Sequence, residues 1–459
     1  MEFIADHLAV IMFGVLTFIM FVGYPVAFVL GAIGIVFGWL GIYFGMFAPV
    51  QFANLLPRIY GQAVENQVLV AVPMFIFMGV IPEKSGVAEQ LLSCLQILFR
   101  RIPGGLALAV VLLGTIMAAT TGIVGASVVM LTLIALPVML DRGYSKELSV
   151  GTIAASGTLG ILIPPSIMLV IVGDLMQISV GLLFASAVLP GLMLSGLYVI
   201  YIIILSWFKP HLAPPLGAHE GPQNASELTK MVLYTFSPPA FLIVLVLGSI
   251  FGGWATPTEA AGVGCLGALA LAAKAGKLSF KEINAMILSA GLTNGLVFFI
   301  VFGATLFSYV FRALGGDDVV VEVLRAMGID TGWETLIFVM TLVFIMGFFF
   351  DFLEICLVVL PVFSPILAKA DFGAFISGPK NILLWFAMLL AVNLQSAFLT
   401  PPFGFALFYM KGSVPPSVTM MHIYRGIVPF VMLQLLAVAL CMIFPEIIFA
   451  LPRYWGLMS

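Results

Sequence analysis

Charge is what this sequence most lacks. Only 8% of its 459 residues are Asp, Glu, Lys or Arg, whereas 62% are hydrophobic. An ordinary soluble domain is about 25% charged, so this composition excludes a soluble fold. The hydrophobic residues stand in continuous runs rather than alternating with polar ones, which argues against a membrane β-barrel. The sequence therefore predicts an all-α polytopic membrane protein.

Histidine, cysteine and nucleotide-binding motifs are also scarce. The four histidines lie at segment ends or in loops, so they do not form the clustered acid, base or metal set of a membrane enzyme. The four cysteines are far apart in apolar surroundings and form no CxxC pair, which indicates small core residues rather than metal ligands. No GxxxxGK[ST] motif occurs, and no basic stripe suits nucleic acid. We predict neither an enzyme nor a bound cofactor.

Two proline pairs interrupt apolar segments that are long enough to span a bilayer. Pro164-Pro165 lies within residues 147–173, and Pro401-Pro402 lies within residues 381–410. Proline removes a backbone donor and clashes with the preceding turn, so each pair should break its helix. Unwound backbone survives at membrane depth only where protein buries it or where it lines a cavity. Broken helices at matching places in two halves point to the binding site of a secondary transporter.

Two other apolar segments, residues 103–140 and 334–370, are too long for one span and too interrupted for two. Basic residues flank the first segment at both ends, whereas the ends of the second are poor in Lys and Arg. The first should therefore begin and end on the cytoplasmic side, and the second on the outer side. Each is predicted to be a re-entrant helical hairpin, which with the broken helix after it forms one of two inverted repeats.

The hairpins, the helix breaks and one soluble-looking linker divide the chain into five predicted segments. They are 1–102 (N-terminal helices and an interfacial helix), 103–173 (first hairpin and broken helix), 174–333 (further helices, with a cytoplasmic linker at 209–230), 334–412 (second hairpin and broken helix) and 413–459 (C-terminal helix).

Three short motifs stand out: residues 253–261 (GWATPTEAA), residues 157–166 (GTLGILIPPS) and residues 400–404 (TPPFG). In that order they resemble the ATPTEAA signature, the GTLGILIPPS segment and the TPPxG segment of a known family, the large membrane subunit of TRAP (tripartite ATP-independent periplasmic) transporters. The likeness extends over nearly the whole chain. Residues 121–127 (TGIVGAS) depart from the Ser-Gly-Ser-Ser-like hairpin tip of many members. They resemble the branch often labelled mannitol/chloroaromatic.

The resemblance implies a sodium-coupled elevator carrier in the bacterial inner membrane. It implies a transport domain, made of segments 103–173 and 334–412 with both hairpins and both broken helices, that moves across the bilayer against a scaffold made of segments 1–102 and 174–333. It implies two partners, a small four-helix membrane subunit and a periplasmic binding protein that delivers the substrate, usually an organic acid. The alternative is a self-sufficient symporter or antiporter of related fold without a binding protein. A channel is disfavoured because inverted broken helices suit alternating access.

Two sodium sites are predicted where a hairpin meets a broken helix. Sodium is a hard cation that prefers about five or six oxygen ligands, and broken helices supply free carbonyls and the negative end of a helix dipole. The first site comprises Thr120, Thr121, Gly122, Gly160, Ile163 and Pro165, and the second comprises Gly347, Ala397, Thr400 and Phe403. Close helix packing by small residues is the alternative explanation for these positions.

The substrate is predicted to be a carboxylate bound without Lys or Arg, because neither break has a basic neighbour. Half-helix N-termini would supply N–H groups. The polar side chains predicted to help are Ser156, Ser166, Asn393, Gln395 and Ser396. For the two amides, interhelical hydrogen bonding is the alternative.

Four charged residues receive separate predictions. Asp351 and Glu354 lie near the tip of the second hairpin and are candidates for coupling or gating, since ionisable groups at membrane depth are commonly functional. Glu259 is predicted to cap a helix start, and Arg312 to snorkel to the outer interface.

Overall fold

The computed structural model describes residues 7–20, 22, 24–121, 124–215, 222, 224–401 and 404–458, and within these the regular structure is helical throughout. Two short 3₁₀ turns occupy Leu159–Ile161 and Pro210–Leu212. The α-helices in chain order are α1 (Leu8–Met20), α2 (Val26–Tyr43), α3 (Pro49–Ala53), α4 (Leu55–Ala63), α5 (Ala71–Lys84), α6 (Val87–Leu98), α7 (Gly105–Thr121), α8 (Val124–Asp141), α9 (Lys146–Thr158), α10 (Ile167–Met176), α11 (Val180–Phe208), α12 (Ala225–Phe251), α13 (Pro257–Lys274), α14 (Phe280–Ala313), α15 (Gly316–Ala326), α16 (Gly332–Met346), α17 (Phe352–Ala368), α18 (Pro379–Ala397), α19 (Phe405–Ser413), α20 (Met420–Ile443) and α21 (Glu446–Tyr454).

Seven helices among the described residues are long and apolar enough to cross a membrane: α2, α8, α11, α12, α14, α18 and α20. Helices α5 and α6 would supply an eighth span if taken together, although they bend by 61° where they meet. Apolar side chains line the outside as well, as with Leu288, Leu292 and Leu296, which are exposed at four-residue spacing along α14. This lipid-facing stripe confirms the prediction of a polytopic membrane protein.

Both predicted hairpins form. Helices α7 and α8 contact each other and are joined by only two residues, 122–123, which lie outside the described residues. Helices α16 and α17 contact each other across the turn 347–351. At 1.5 Å rise per residue, the 15 residues of α16 reach about 22 Å, which is short of the roughly 30 Å hydrocarbon core.

Both predicted helix breaks fall at the proline pairs. Helix α9 ends at Thr158 and continues as a 3₁₀ turn before α10 begins at Ile167, on the far side of Pro164-Pro165. Helix α18 ends at Ala397 and α19 begins at Phe405, on the far side of Pro401-Pro402. Helix α10 runs to Met176, three residues beyond the predicted segment boundary at 173, so we assign residues 174–176 to the broken helix.

Each repeat packs one arm of its hairpin against the broken helix of the other repeat. The second arm of the first hairpin, α8, packs against α19, which follows the second break. The second arm of the other hairpin, α17, packs against α10, which follows the first break. Helix α10 also contacts α18, so the two breaks share one buried core. This reciprocal packing is the arrangement expected of an inverted repeat.

Several short helices lie outside the predicted apolar segments. Helices α3, α4 and α15 border α14 or α2, between segments that the sequence analysis predicted as apolar. Helix α6 matches the predicted interfacial helix. The capping prediction for Glu259 is confirmed, because the backbone N–H of Thr256 donates to Glu259 Oε2 at 2.8 Å. All four cysteines are buried, as expected of small core residues.

Candidate functional site

The second hairpin and the second break are in direct contact at Gly347. A Cβ added to Gly347 would overlap the Cβ of Ala397 and lie 2.7 Å from its Cα. Thr400 follows in the unwound turn, where its Oγ1 donates to the carbonyl of Ser396 at 2.8 Å. The structure thus brings together three of the four residues of the predicted second sodium site. The fourth, Phe403, lies outside the described residues.

The first hairpin packs against the first break in a similar way. Helix α7 contacts the 3₁₀ turn that contains Gly160. Ile163 and Pro165 are buried in the break itself, and the scaffold residue Gly191 lies against Ile163, with an added Cβ only 2.8 Å from Ile163 Cγ1. Gly122 lies outside the described residues, as do the side chains of Thr120 and Thr121.

The second arm of the first hairpin also reaches the opposite repeat. A Cβ added to Gly125 would lie 2.8 Å from Cε2 of Tyr409 on α19. Gly125 is the second residue of α8, so the start of this arm lies next to the half-helix after the second break.

The hydroxyl groups at the breaks already donate to backbone carbonyls. Ser156 Oγ donates to Thr152 O at 2.6 Å, and Ser396 Oγ donates to Asn393 O at 2.6 Å. Ser166 Oγ donates to Ile161 O and accepts from the N–H of Leu169 in the first turn of α10. A hydroxyl whose proton is used in this way keeps oxygen lone pairs to offer. These groups are better suited to coordinate a cation than to donate to a carboxylate.

The two amides on α18 have different surroundings. Asn393 Nδ2 donates to the carbonyl of Met340 on α16 at 2.8 Å, as the interhelical alternative predicts. Gln395 is fully buried, and neither its Oε1 nor its Nε2 has a hydrogen-bond partner in the described part of the chain. A buried polar group without a partner costs about 1–3 kcal/mol, so Gln395 is the side chain in this region most in need of a ligand.

The acidic pair starts the second arm of the second hairpin. Asp351 is the N-cap residue of α17, and Glu354 lies in its first turn. The backbone N–H of Asp351 donates to Glu354 Oε2 at 3.2 Å. Carboxylates at a helix N-terminus complement the helix dipole, so helix capping accounts for at least Glu354. Asp351 remains partly exposed at the hairpin tip.

A second polar region, which the sequence analysis did not find, lies between the predicted scaffold and transport domain. We call it the outer cleft. It has a volume of about 340 Å³ and is lined by residues of α4, α10, α14 and α17. Arg58 and Arg312 both line it. By the predicted topology these helix ends are on the outer side of the membrane.

Arg312 has a hydrogen-bond partner within the protein, while its snorkelling to the outer interface stays a prediction. Its Nη2 donates to the carbonyl of Pro361 on α17 at 2.8 Å. In a helix this carbonyl would accept from the N–H four residues later, but that residue is Pro365, which has none. The guanidinium therefore satisfies a carbonyl that the proline leaves free. Two prolines spaced by four in an apolar segment are the sequence signal for such an acceptor.

Comparison with known proteins gives one family. A family model described as "Tripartite ATP-independent periplasmic transporter, DctM component" matches residues 13–447. The C4-dicarboxylate TRAP transporter large permease protein DctM of Pseudomonas aeruginosa is 29% identical over 416 residues, which cover 90% of this chain and 92% of that protein. The ectoine TRAP transporter large permease protein TeaC of Halomonas elongata is 30% identical over 382 residues, covering 83% of this chain and 84% of that protein.

Two further comparisons concern the subunit arrangement and the fold. The isethionate TRAP transporter permease protein DctMQ of Oleidesulfovibrio alaskensis is 28% identical over 458 residues, which cover 97% of this chain but 67% of that protein. Among solved structures, the YdaH transporter of Alcanivorax borkumensis superposes with a TM-score of 0.57 at 17% identity, covering 88% of each chain. At this identity the likeness supports the fold alone.

Proposed function

Because this chain belongs to the DctM component family of tripartite ATP-independent periplasmic transporters, we propose that it takes up an organic acid by sodium-coupled secondary transport. It is a multi-pass protein of the bacterial inner membrane, and its relatives are permeases rather than enzymes. The proposal includes an elevator mechanism, in which the hairpins and broken helices move together as the transport domain.

The reciprocal packing of the two repeats carries this proposal. The contacts of α8 with α19 and of α17 with α10 support this grouping, because they would hold each hairpin to the broken helix of the other repeat during such a movement. A substrate and ions held between the hairpin tips and the breaks would then move with all of these elements. Discontinuous helices at a repeat interface are the usual binding sites of such carriers.

Sodium is proposed to bind where each hairpin contacts a break. At the second site, Thr400 Oγ1 donates to a backbone carbonyl and so directs its lone pairs away from that bond. Gly347 allows the end of α16 to lie against Ala397, which brings the carbonyls of the hairpin turn close to those of the break. The first site would use the equivalent carbonyls around Gly160 and the tip of the first hairpin.

The organic acid is proposed to bind at Gln395 and at the half-helix N-termini. The Gln395 amide has a donor without a partner, whereas the nearby hydroxyls have already used theirs. The relatives named for C4-dicarboxylate, ectoine and isethionate guide the choice of compounds to screen. Two partners complete the proposed system, a small membrane subunit and a periplasmic binding protein.

The test is uptake into proteoliposomes that contain this chain with its small subunit. Transport of labelled 2-oxo acids, hydroxy acids, aromatic carboxylates and C4-dicarboxylates is measured with and without an inward sodium gradient and with and without the binding protein. We expect uptake only when the inward sodium gradient and the binding protein are both present. Uptake that ignores the binding protein would identify a self-sufficient carrier instead, and uptake that ignores the sodium gradient would overturn sodium coupling.

A further inference from the structure

The outer cleft has walls from two different parts of the molecule. Helices α4 and α14 of the predicted scaffold form one wall, and helices α10 and α17 of the predicted transport domain form the other. At about 340 Å³ it falls within the range of small-molecule binding sites. Its lining includes none of the residues predicted for the two sodium sites or the substrate site.

The scaffold wall of the cleft contains two arginines, Arg58 on α4 and Arg312 on α14. The guanidinium carbon of Arg58 lies 4.4 Å from the ring centre of Tyr309, which fixes it by a cation–π contact. Arg312 follows Tyr309 by three residues and so lies on the same face of α14. Arg312 forms a hydrogen bond to Pro361 O and lies 3.8 Å from Asp317 Oδ2.

Arg58 has no acceptor of its own. Among the described residues no carboxylate lies within 4 Å of its guanidinium, and no hydrogen bond from it is formed. A guanidinium carries five donors, and a planar carboxylate or a sulfonate can accept two of them at once. Arg58 lines the cleft with donors that no described residue uses.

The acid on the facing wall does not neutralise these arginines. Asp174 Oδ1 accepts from Asn66 Nδ2 at 2.6 Å, and no ion pair links Asp174 to either arginine within the described residues. Further along the cleft, Gln62 and Thr305 bond to each other at 3.0 Å, while Ser308 is partly exposed to it. The lining thus offers a positive end and hydroxyl and amide groups beyond it.

We propose that the outer cleft is a binding site for small organic anions, in which Arg58 and Arg312 hold a carboxylate or sulfonate group before it enters the central site. The inference rests on the proposed carrier function, but its test does not use transport. Arg312 lies near Asp317, but no described carboxylate pairs with Arg58. The positive charge of Arg58 would raise the local concentration of an anion, so the cleft would favour acids over neutral solutes.

The first test measures the charge selectivity of a single thiol in the cleft. The native cysteines are buried, so Ser308→Cys in the full chain supplies the reactive thiol. The thiol is labelled with anionic 2-sulfonatoethyl methanethiosulfonate and, separately, with the cationic trimethylammonioethyl reagent. Each labelling rate is divided by the rate at which the same reagent reacts with 2-mercaptoethanol in solution, which corrects for the reagent's intrinsic reactivity. We expect the anionic reagent to be favoured. Because one unit charge about 6 Å away changes each rate roughly threefold in water, Arg58→Gln should lower the anion-to-cation ratio about tenfold.

Controls separate charge from structure. Arg58→Lys keeps the positive charge and should keep the ratio, and Arg312→Gln should lower it as Arg58→Gln does. Ala374→Cys places a thiol on an exposed loop outside the cleft, and its ratio should not respond to Arg58→Gln. A ratio near one at Ser308→Cys, or a ratio that Arg58→Gln leaves unchanged, would overturn the proposal whether or not the protein transports.

The second test asks whether a small acid occupies the cleft. Succinate and isethionate are compared with neutral succinamide at the same concentration and ionic strength. Both acids should slow the labelling of Ser308→Cys by either reagent, succinamide should not, and Arg58→Gln should remove the protection. Equal protection by succinamide, or none by the acids, would contradict an anion site.

Discussion

At the scale of single residues, Gln395 distinguishes a ligand-binding role from a packing role. Its buried amide has no partner among the described residues, so Gln395→Met should relieve a cost of about 1–3 kcal/mol and raise the melting temperature. If the amide binds substrate, the same change should raise the KM for uptake tenfold or more. Thermal unfolding in detergent and uptake in proteoliposomes measure the two effects. A variant that gains stability and keeps its KM would show that Gln395 has no ligand.

Asn393 is the matched control for Gln395. It lies two residues away on the same helix, but its amide donates to Met340 O. Asn393→Leu should therefore lower the melting temperature, since it leaves a buried carbonyl without a donor. The sequence predicted both amides as polar groups in an apolar span, with the same two explanations. Only the structure separates them, because the partner of Asn393 is a backbone atom 53 residues earlier in the chain.

Thr400 tests the second sodium site. Removing its Oγ1 in Thr400→Ala would delete one oxygen ligand, and a loss of about 1–1.5 kcal/mol would raise the half-saturating sodium concentration roughly tenfold. Thr400→Ser keeps the oxygen and should retain nearly the original sodium dependence. The measurement is the rate of uptake as a function of sodium concentration for each variant. If Thr400→Ala and Thr400→Ser had the same half-saturating sodium concentration, the hydroxyl would be excluded as a ligand.

At the scale of elements, the contact between α16 and α18 depends on a missing Cβ at Gly347. Gly347→Ala would force the new methyl group into Ala397, and overpacking of this kind typically costs 1–3 kcal/mol. We expect a lower melting temperature and a large loss of uptake. The double variant with Ala397→Gly should recover both, because it returns the lost space to the partner helix.

Gly295 on α14 is the control for Gly347. A Cβ there would meet nothing within 4 Å, and alanine favours a helix more than glycine does, so Gly295→Ala should be neutral or slightly stabilising. If Gly295→Ala were as damaging as Gly347→Ala, the effect would not come from the hairpin contact. Failure of Ala397→Gly to rescue would point to the same conclusion.

The breaks and hairpins were predictable because proline pairs and segment lengths leave a record in the sequence. Pro164-Pro165 and Pro401-Pro402 fall at the observed breaks, and charge flanks indicated where the hairpins open. The outer cleft was not predictable in this way. Helix α4 is short and falls outside the apolar segments, and the Arg58–Tyr309 contact joins residues 251 positions apart. The pairing of separate elements that forms the cleft leaves no local pattern.

At the scale of the whole molecule, two hydrogen bonds join the proposed scaffold to the proposed transport domain across the outer cleft. Asn66 donates to Asp174, and Arg312 donates to Pro361 O. An elevator movement must break both, since one partner of each bond travels with a hairpin or broken helix. If the walls of the cleft are covalently joined, transport should stop even though the chain remains folded.

The pair Asn66→Cys and Asp174→Cys provides such a link, because the two side chains are 2.6 Å apart at their polar atoms. A short, reducible bis-methanethiosulfonate should abolish uptake by this double variant, and a reductant should restore it. Gln62→Cys with Thr305→Cys is the matched control, since these residues bond at 3.0 Å within the scaffold wall of the same cleft. Cross-linking that control should leave uptake largely intact. Because the two links differ only in whether they join one wall or both, full uptake by the first cross-linked pair would mean that the walls do not separate during transport.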